Sequence, residues 1–278
     1  MPPANLGSFL LPDGFRRPPV VAVLREASVV PEVGRYVLTR RQDRRYRRSE
    51  PYAARLARLD ADPVLLVPGF LAGDATLRLM SGALRHHGLR TYRSTILSNV
   101  GCTLDAASLL ESRLESIAER RGSRVQVVGH SLGGMLARGL AVRRPDLVSR
   151  IVTMGSPMLA PGAHHPTLGL GVEVLVRLSR LGVRGVMTSE CVGGDCARAS
   201  FEESREAVPH DVEFTAIYSR RDGIVDWRAC VDPAAEAVEV TASHVGMAVD
   251  PRVIAAVVAA TTRPALRSAL EVDAGVGA

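Results

Sequence analysis

The sequence predicts an α/β fold with a mostly parallel central sheet of about six strands, helices on both faces and an inserted cap. Three observations carry this. Short apolar, β-branched runs alternate with stretches whose apolar residues recur three to four apart, and each such unit closes in a small-residue loop. One unit, Val125-Gln126-Val127-Val128-Gly129-His130-Ser131-Leu132-Gly133-Gly134 followed by Met135 to Val142, reads strand, tight turn, helix, with Gly-x-Ser-x-Gly at the turn. Strands buried on both faces read as continuous apolar runs, and parallel ones need crossover helices that cover both sides of the sheet.

In chain order, residues 1–60 form an N-terminal helical and basic segment without a strong strand pattern. Within it Val20 to Leu38 is apolar but broken by Pro31 and Gly34, Arg40 to Arg48 is dense in arginine, and Pro51 to Leu59 reads as a short amphipathic helix. The α/β domain spans residues 61–265. Its first strand is the run from Pro63 ending at Pro68-Gly69-Phe70. Asp74 is placed to cap a helix that runs to about His87 through Leu77, Met80 and Leu84, with Gly88 as its stop. Arg90 to Leu97 makes a second strand, Asp105 to Arg121 a second helix, and Val148 to Met154 a strand after the helix over 132–144. The rhythm then fails over 157–210, which is read as an insertion over the strand ends with a helix near Leu168 to Leu181. Strands at Glu213 to Ser219 and Ala237 to Thr241 and a helix from Pro251 to Thr262 follow. The tail 266–278 is expected to fray.

With 278 residues, 46% of them hydrophobic, the chain can bury the core of one large domain. Its net charge of +6 comes from 35 basic and 29 acidic residues, and every basic residue is arginine. Such a balance permits weak association with a membrane surface and is no design for one partner; specific nucleic-acid binding is not expected. No apolar run reaches the 18 or so residues of a membrane span, and the N-terminus is a poor secretory signal, so the cytoplasm is the default compartment. Four cysteines qualify this. Cys191 and Cys196 enclose the flexible Val192-Gly193-Gly194-Asp195 and fit a small disulfide ring, or else remain two thiols. Neither a CxxC spacing nor a histidine cluster accompanies them, so no metal is expected.

A serine hydroxyl is a poor nucleophile unless a base takes its proton, and the base needs a third group to hold its tautomer. Ser131 sits where a strained turn lifts its hydroxyl clear of the sheet at a helix N-terminus. The partners should follow later strands, as Ser219-Arg220-Arg221-Asp222-Gly223-Ile224-Val225-Asp226 and Ser243-His244-Val245-Gly246-Met247 do. Here the chain resembles the α/β-hydrolase superfamily, and within it bacterial lipases and esterases, over about Pro63 to Thr262. Gly129 to Gly134 resembles the nucleophile elbow, Asp222 to Val225 the acid loop, Ser243 to Met247 the histidine loop, and Pro68-Gly69-Phe70 the oxyanion loop, in the family's Ser, Asp, His order.

The resemblance implies that Ser131 attacks an ester carbonyl, His244 moves the proton, Asp222 orients His244, and the backbone N–H groups of Phe70 and Leu132 hold the oxyanion. Asp226, four residues on from Asp222, is the rival acid. His130 is read as a structural residue of the elbow, and His86, His87, His164, His165 and His210 as surface groups. The function this implies is hydrolysis of acyl or lipid esters through an acyl-enzyme. An acyltransferase or thioesterase using the same triad is the alternative within enzymes. A non-catalytic protein binding membranes or anions through residues 1–60 is the alternative outside them. No cofactor is implied. Some lipases of this kind hold a structural calcium, and Asp226 and Asp232 are the carboxylates at hand, but two scattered carboxylates do not make a site.

Overall fold

The computed structural model describes residues 7–46 and 61–263. Strands β1 (Val64–Val67), β2 (Thr91–Arg93), β3 (Val125–His130), β4 (Val148–Met154), β5 (Glu213–Tyr218) and β6 (Glu236–Glu239) form one sheet ordered β2-β1-β3-β4-β5-β6. Every pairing among them is parallel. From β1 the chain first goes outward to β2 and then returns to place β3 on the other side. That reversal opens a crevice at the carboxyl ends of β1 and β3, the place where such sheets bind ligands.

Side chains alternate across the strands and so divide the core in two. Leu65, Val67, Val127 and Ile151 pack with Leu110, Leu114 and Ile117 of α3 (Thr103–Arg121) and with Leu136 and Leu140 of α4 (Leu132–Arg143). Val64, Leu66, Val128 and Val152 face the other way, onto Met80 and Leu84 of α2 (Arg78–His86) and Val253 and Val257 of α8 (Pro251–Thr261). Gly88 and Gly122, with φ of 87° and 64°, end α2 and α3 in the left-handed region that lets a helix close on its last carbonyls.

Two local expectations are corrected. Only Thr91–Arg93 pairs in the sheet, because Asp74 takes the next backbone groups: its Oδ1 accepts from Ser94 N (3.1 Å) and its Oδ2 from Thr95 N (2.9 Å). Asp74 therefore pins a loop rather than capping a long helix, and only a 3-10 turn (Asp74–Leu77) precedes α2. Nor do Pro31 and Gly34 break the N-terminal segment. A 3-10 helix (Val20–Ser28) runs straight into α1 (Val29–Tyr46), and Pro31 falls in its first turn, where no intrahelical N–H is needed. The expected helix over Pro51 to Leu59, the end of the arginine run and the tail 266–278 lie outside the described residues.

Between β4 and β5 lie α5 (Pro166–Arg180), α6 (Ser189–Gly193) and α7 (Asp195–Glu203), without a strand. Among the described residues no helix is long and apolar enough to cross a membrane.

Candidate functional site

Ser131 is the hinge between β3 and α4, with φ 53° and ψ −122°. A non-glycine residue there is strained, by about 1–3 kcal/mol, and such strain persists only where the surroundings enforce it. They do so by close packing of backbone. A Cβ on Gly129 would strike the carbonyl of Gly133, and one on Gly133 would strike the carbonyl of Val67, so the glycines on either side allow β1, β3 and α4 to converge under the serine. Ser131 N donates to Met154 O (2.8 Å), which fixes the turn to the end of β4.

Asp222 and His244 meet beyond the ends of β5 and β6. His244 Nδ1 lies 2.7 Å from Asp222 Oδ2, and both residues are buried. The other carboxylate oxygen accepts from Ile224 N and Val225 N, each at 2.8 Å. An ionised carboxylate only accepts, so the Nδ1 proton belongs to His244 and Nε2 is left as the free base. Burial opposes charge on His244, but the carboxylates of Asp222 and Glu26 outweigh it and raise its pKa. Asp226, the rival acid, is engaged elsewhere: it caps the 3-10 helix Trp227–Cys230 through Arg228 N (3.2 Å) and accepts from Arg16 N (3.0 Å).

His130 sits beside this pair, its ring centroid 4.9 Å from that of His244 and its Nε2–H donating to the His244 carbonyl (2.9 Å). Burial, then the neighbouring His244, drops its pKa to about 3, so it stays neutral. This is a bracing role, not a base.

Sequence reasoning missed the residues that hold the two loops together. Glu26 Oε1 accepts from Gly223 N (3.0 Å) and His244 N (3.1 Å), and its Oε2 from Val245 N (2.8 Å). Buried Glu32 accepts from Ser243 N (2.9 Å) and Ser243 Oγ (2.7 Å). The N-terminal segment is thus a strap that ties the acid loop to the histidine loop. Nothing local marks these glutamates, since the backbone groups that they satisfy lie some two hundred residues later. Asn99 was missed in the same way. Its Nδ2 donates to Pro68 O (3.0 Å) and its carbonyl accepts from Leu71 N (3.0 Å), which clamps the loop carrying Phe70.

A cavity of about 140 Å³ opens beside Ser131. Phe70 and Leu132 border it on the sheet side, Leu168 and Val172 of α5 and Phe201 of α7 on the other, and its lining is predominantly apolar. Leu132 is the first residue of α4, so its N–H has no intrahelical acceptor. His164 and His165 are not surface groups, because the loop into α5 folds inward. His164 is buried at the cavity wall, and His165 is fully buried, capping α5 through Thr167 N (3.2 Å) and donating from Nε2 to Val20 O (3.0 Å).

The four cysteines are unbridged; Cys191 and Cys196 come together with Cys102 rather than as an isolated pair. Asp232 is held by Arg138 (2.8 Å), both side chains buried, and Asp226 by the groups named above, so neither carboxylate is placed for a calcium ion. A buried pair of this kind satisfies two charges that would each be costly alone.

The family model described as a PGAP1-like alpha/beta domain matches residues 101–172, which hold α3, β3, Ser131, α4 and β4. Among solved structures, the Bacillus licheniformis lipase BlEst2 in mature form superposes with a TM-score of 0.56 at 14% identity, over 76% of this chain and 94% of that one. The pyrethroid hydrolase PytH does so with a TM-score of 0.50 at 17% identity, over 72% and 97%. At such identities the likeness is one of fold.

Proposed function

From its fold, which is similar to that of lipases and hydrolases, we propose that the chain is a member of the α/β-hydrolase superfamily and a serine hydrolase that cleaves carboxylic esters of acyl or lipid type. The observation that carries the reading is the strained Ser131, raised at the strand-to-helix turn on the sheet edge that also holds the bonded Asp222–His244 pair.

In this reading Ser131 Oγ attacks the ester carbonyl carbon while its proton passes to His244 Nε2. The Nδ1 proton stays on His244, where Asp222 offsets the new positive charge. The oxyanion accepts hydrogen bonds from the N–H groups of Phe70 and Leu132, and the N-terminus of α4 favours the negative charge. Collapse expels the alcohol, which takes the proton from Nε2 and leaves the acyl group on Ser131. Water, deprotonated by His244, then releases the acid, and Ser131 recovers its proton. The apolar cavity between α4 and the 157–210 segment takes the acyl chain, with α5 and α7 serving as the cap.

A fluorophosphonate probe tests the site without knowledge of the substrate. Labelling is expected at Ser131 and lost in His244→Ala. No label on the folded protein, or label elsewhere, would sink the assignment.

The Glu26 strap makes a second expectation. In Glu26→Gln an amide replaces the acceptor shared by three backbone N–H groups, and a negative charge near His244 is lost. The enzyme should lose roughly tenfold to a hundredfold in kcat through misplacement of the loops. Since Glu26 raises the His244 pKa, and His244 must be neutral to act as base, the acid limb of the pH profile should move to lower pH. An unchanged limb would reduce Glu26 to a structural residue.

A further inference from the structure

Outside the triad, where Cys191 lines the same cavity, the Sγ atoms of Cys102, Cys191 and Cys196 all lie within 4.8 Å of one another. Each comes from a different element. Cys102 is the N-cap of α3, Cys191 stands in α6 and Cys196 opens α7. The segments are held in register, since Met187 N donates to Val100 O (2.8 Å), and Val100, Met187 and Cys191 share one apolar cluster with Leu175 and Val176.

We propose that these three thiols form a binding site for a thiophilic d10 cation of the Zn²⁺ class, stapling the start of α3 to the α6–α7 wall of the cavity.

Zn²⁺ bonded to sulfur at about 2.3 Å requires sulfur-to-sulfur edges of about 3.8 Å, so a small contraction of the triangle suffices. A disulfide would consume two of the three and leave the third beside it without a partner, whereas one cation uses all three. Oxygen-seeking cations such as Ca²⁺ and Mg²⁺ do not suit a set of sulfurs. The cation would replace the thiol protons and hold three thiolates. Cys102 stands at the N-terminus of a 19-residue helix, whose positive end favours such a charge. Three protein ligands leave a fourth position for water. The sequence argued against a metal because no CxxC spacing and no histidine cluster accompanies these cysteines; the fold supplies a third thiol, Cys102, from the start of α3. The site stands whether or not Ser131 is the nucleophile.

The test is titration of the reduced full-length protein with Co²⁺, followed by displacement with Zn²⁺. One equivalent of Co²⁺ should bind and produce a thiolate-to-cobalt charge-transfer band that Zn²⁺ abolishes. Cys102→Ser and Cys196→Ser, each checked by circular dichroism for folding, should bind at least about tenfold more weakly, while Cys230→Ser, whose thiol is buried elsewhere, binds as the parent does. Zn²⁺ should also raise the melting temperature of the parent and not that of Cys196→Ser. The proposal is overturned if the reduced parent takes up no stoichiometric Co²⁺, or if the folded Cys102→Ser binds it unchanged. It is overturned too if the reduced protein binds none while the unreduced protein carries a disulfide between two of the three.

Discussion

Ser131→Ala should lower kcat on an activated ester by about 10⁴ to 10⁶-fold, or roughly 5–8 kcal/mol of transition-state stabilisation, while leaving the fold intact. The hydroxyl is the atom that forms the acyl bond, so without it only the oxyanion donors and the binding cavity can act. The backbone at position 131 is held at φ 53° by the packing of Gly129 and Gly133, not by the hydroxyl, and alanine keeps the same Cβ. Stability should therefore stay within about 0.5 kcal/mol of the parent. Ser131→Gly should be equally inactive but more stable, by about 1 kcal/mol, since glycine adopts positive φ without steric cost. Chemical denaturation alongside ester hydrolysis reads both quantities. Full activity in a folded Ser131→Ala protein would end the serine-hydrolase reading.

Asp222→Asn should cost about 10⁴-fold in kcat with little change in KM. Asparagine fills the same space, and its carbonyl oxygen can still accept from Ile224 N and Val225 N. Its amide NH₂ then faces His244 Nδ1 and donates to it. That forces the proton to Nε2, where the imidazole becomes a donor toward Ser131 and cannot take its proton. The residual activity should carry its acid limb at lower pH, because the Asp222 carboxylate is a principal group raising the His244 pKa. The same substitution at Asp226 should leave the acid limb in place, since Asp226 meets Arg16 N and Arg228 N and not the imidazole. A pH–rate series on the two variants makes the comparison. Equal losses would mean that orientation of His244 is shared between the two carboxylates.

Much of this was written locally. A strand that ends in Gly-x-Ser-x-Gly and passes into a helix needs only near neighbours to specify it, because the glycines answer a steric demand of that turn itself. The parallel sheet was readable for the same reason: β1, β3 and β4 are buried along their whole length and read as short runs rich in apolar, β-branched residues. The early end of β2 was not readable, because Asp74 competes for its backbone from across a loop. The position of His164 and His165 was equally hidden, since burial of a polar ring depends on partners such as Val20 O that folding supplies.

By itself, then, the sequence determined the fold class, the order of Ser131, Asp222 and His244 along the chain, and the turn that strains the serine. Only the tertiary structure decided that Asp222 rather than Asp226 faces His244, that Glu26 and Glu32 strap the two loops, and that Cys102 joins Cys191 and Cys196. The division follows range. Turn sterics and hydrophobic periodicity act between residues a few positions apart, whereas hydrogen bonds and thiol clusters act over a few ångströms between segments that chain order leaves far apart.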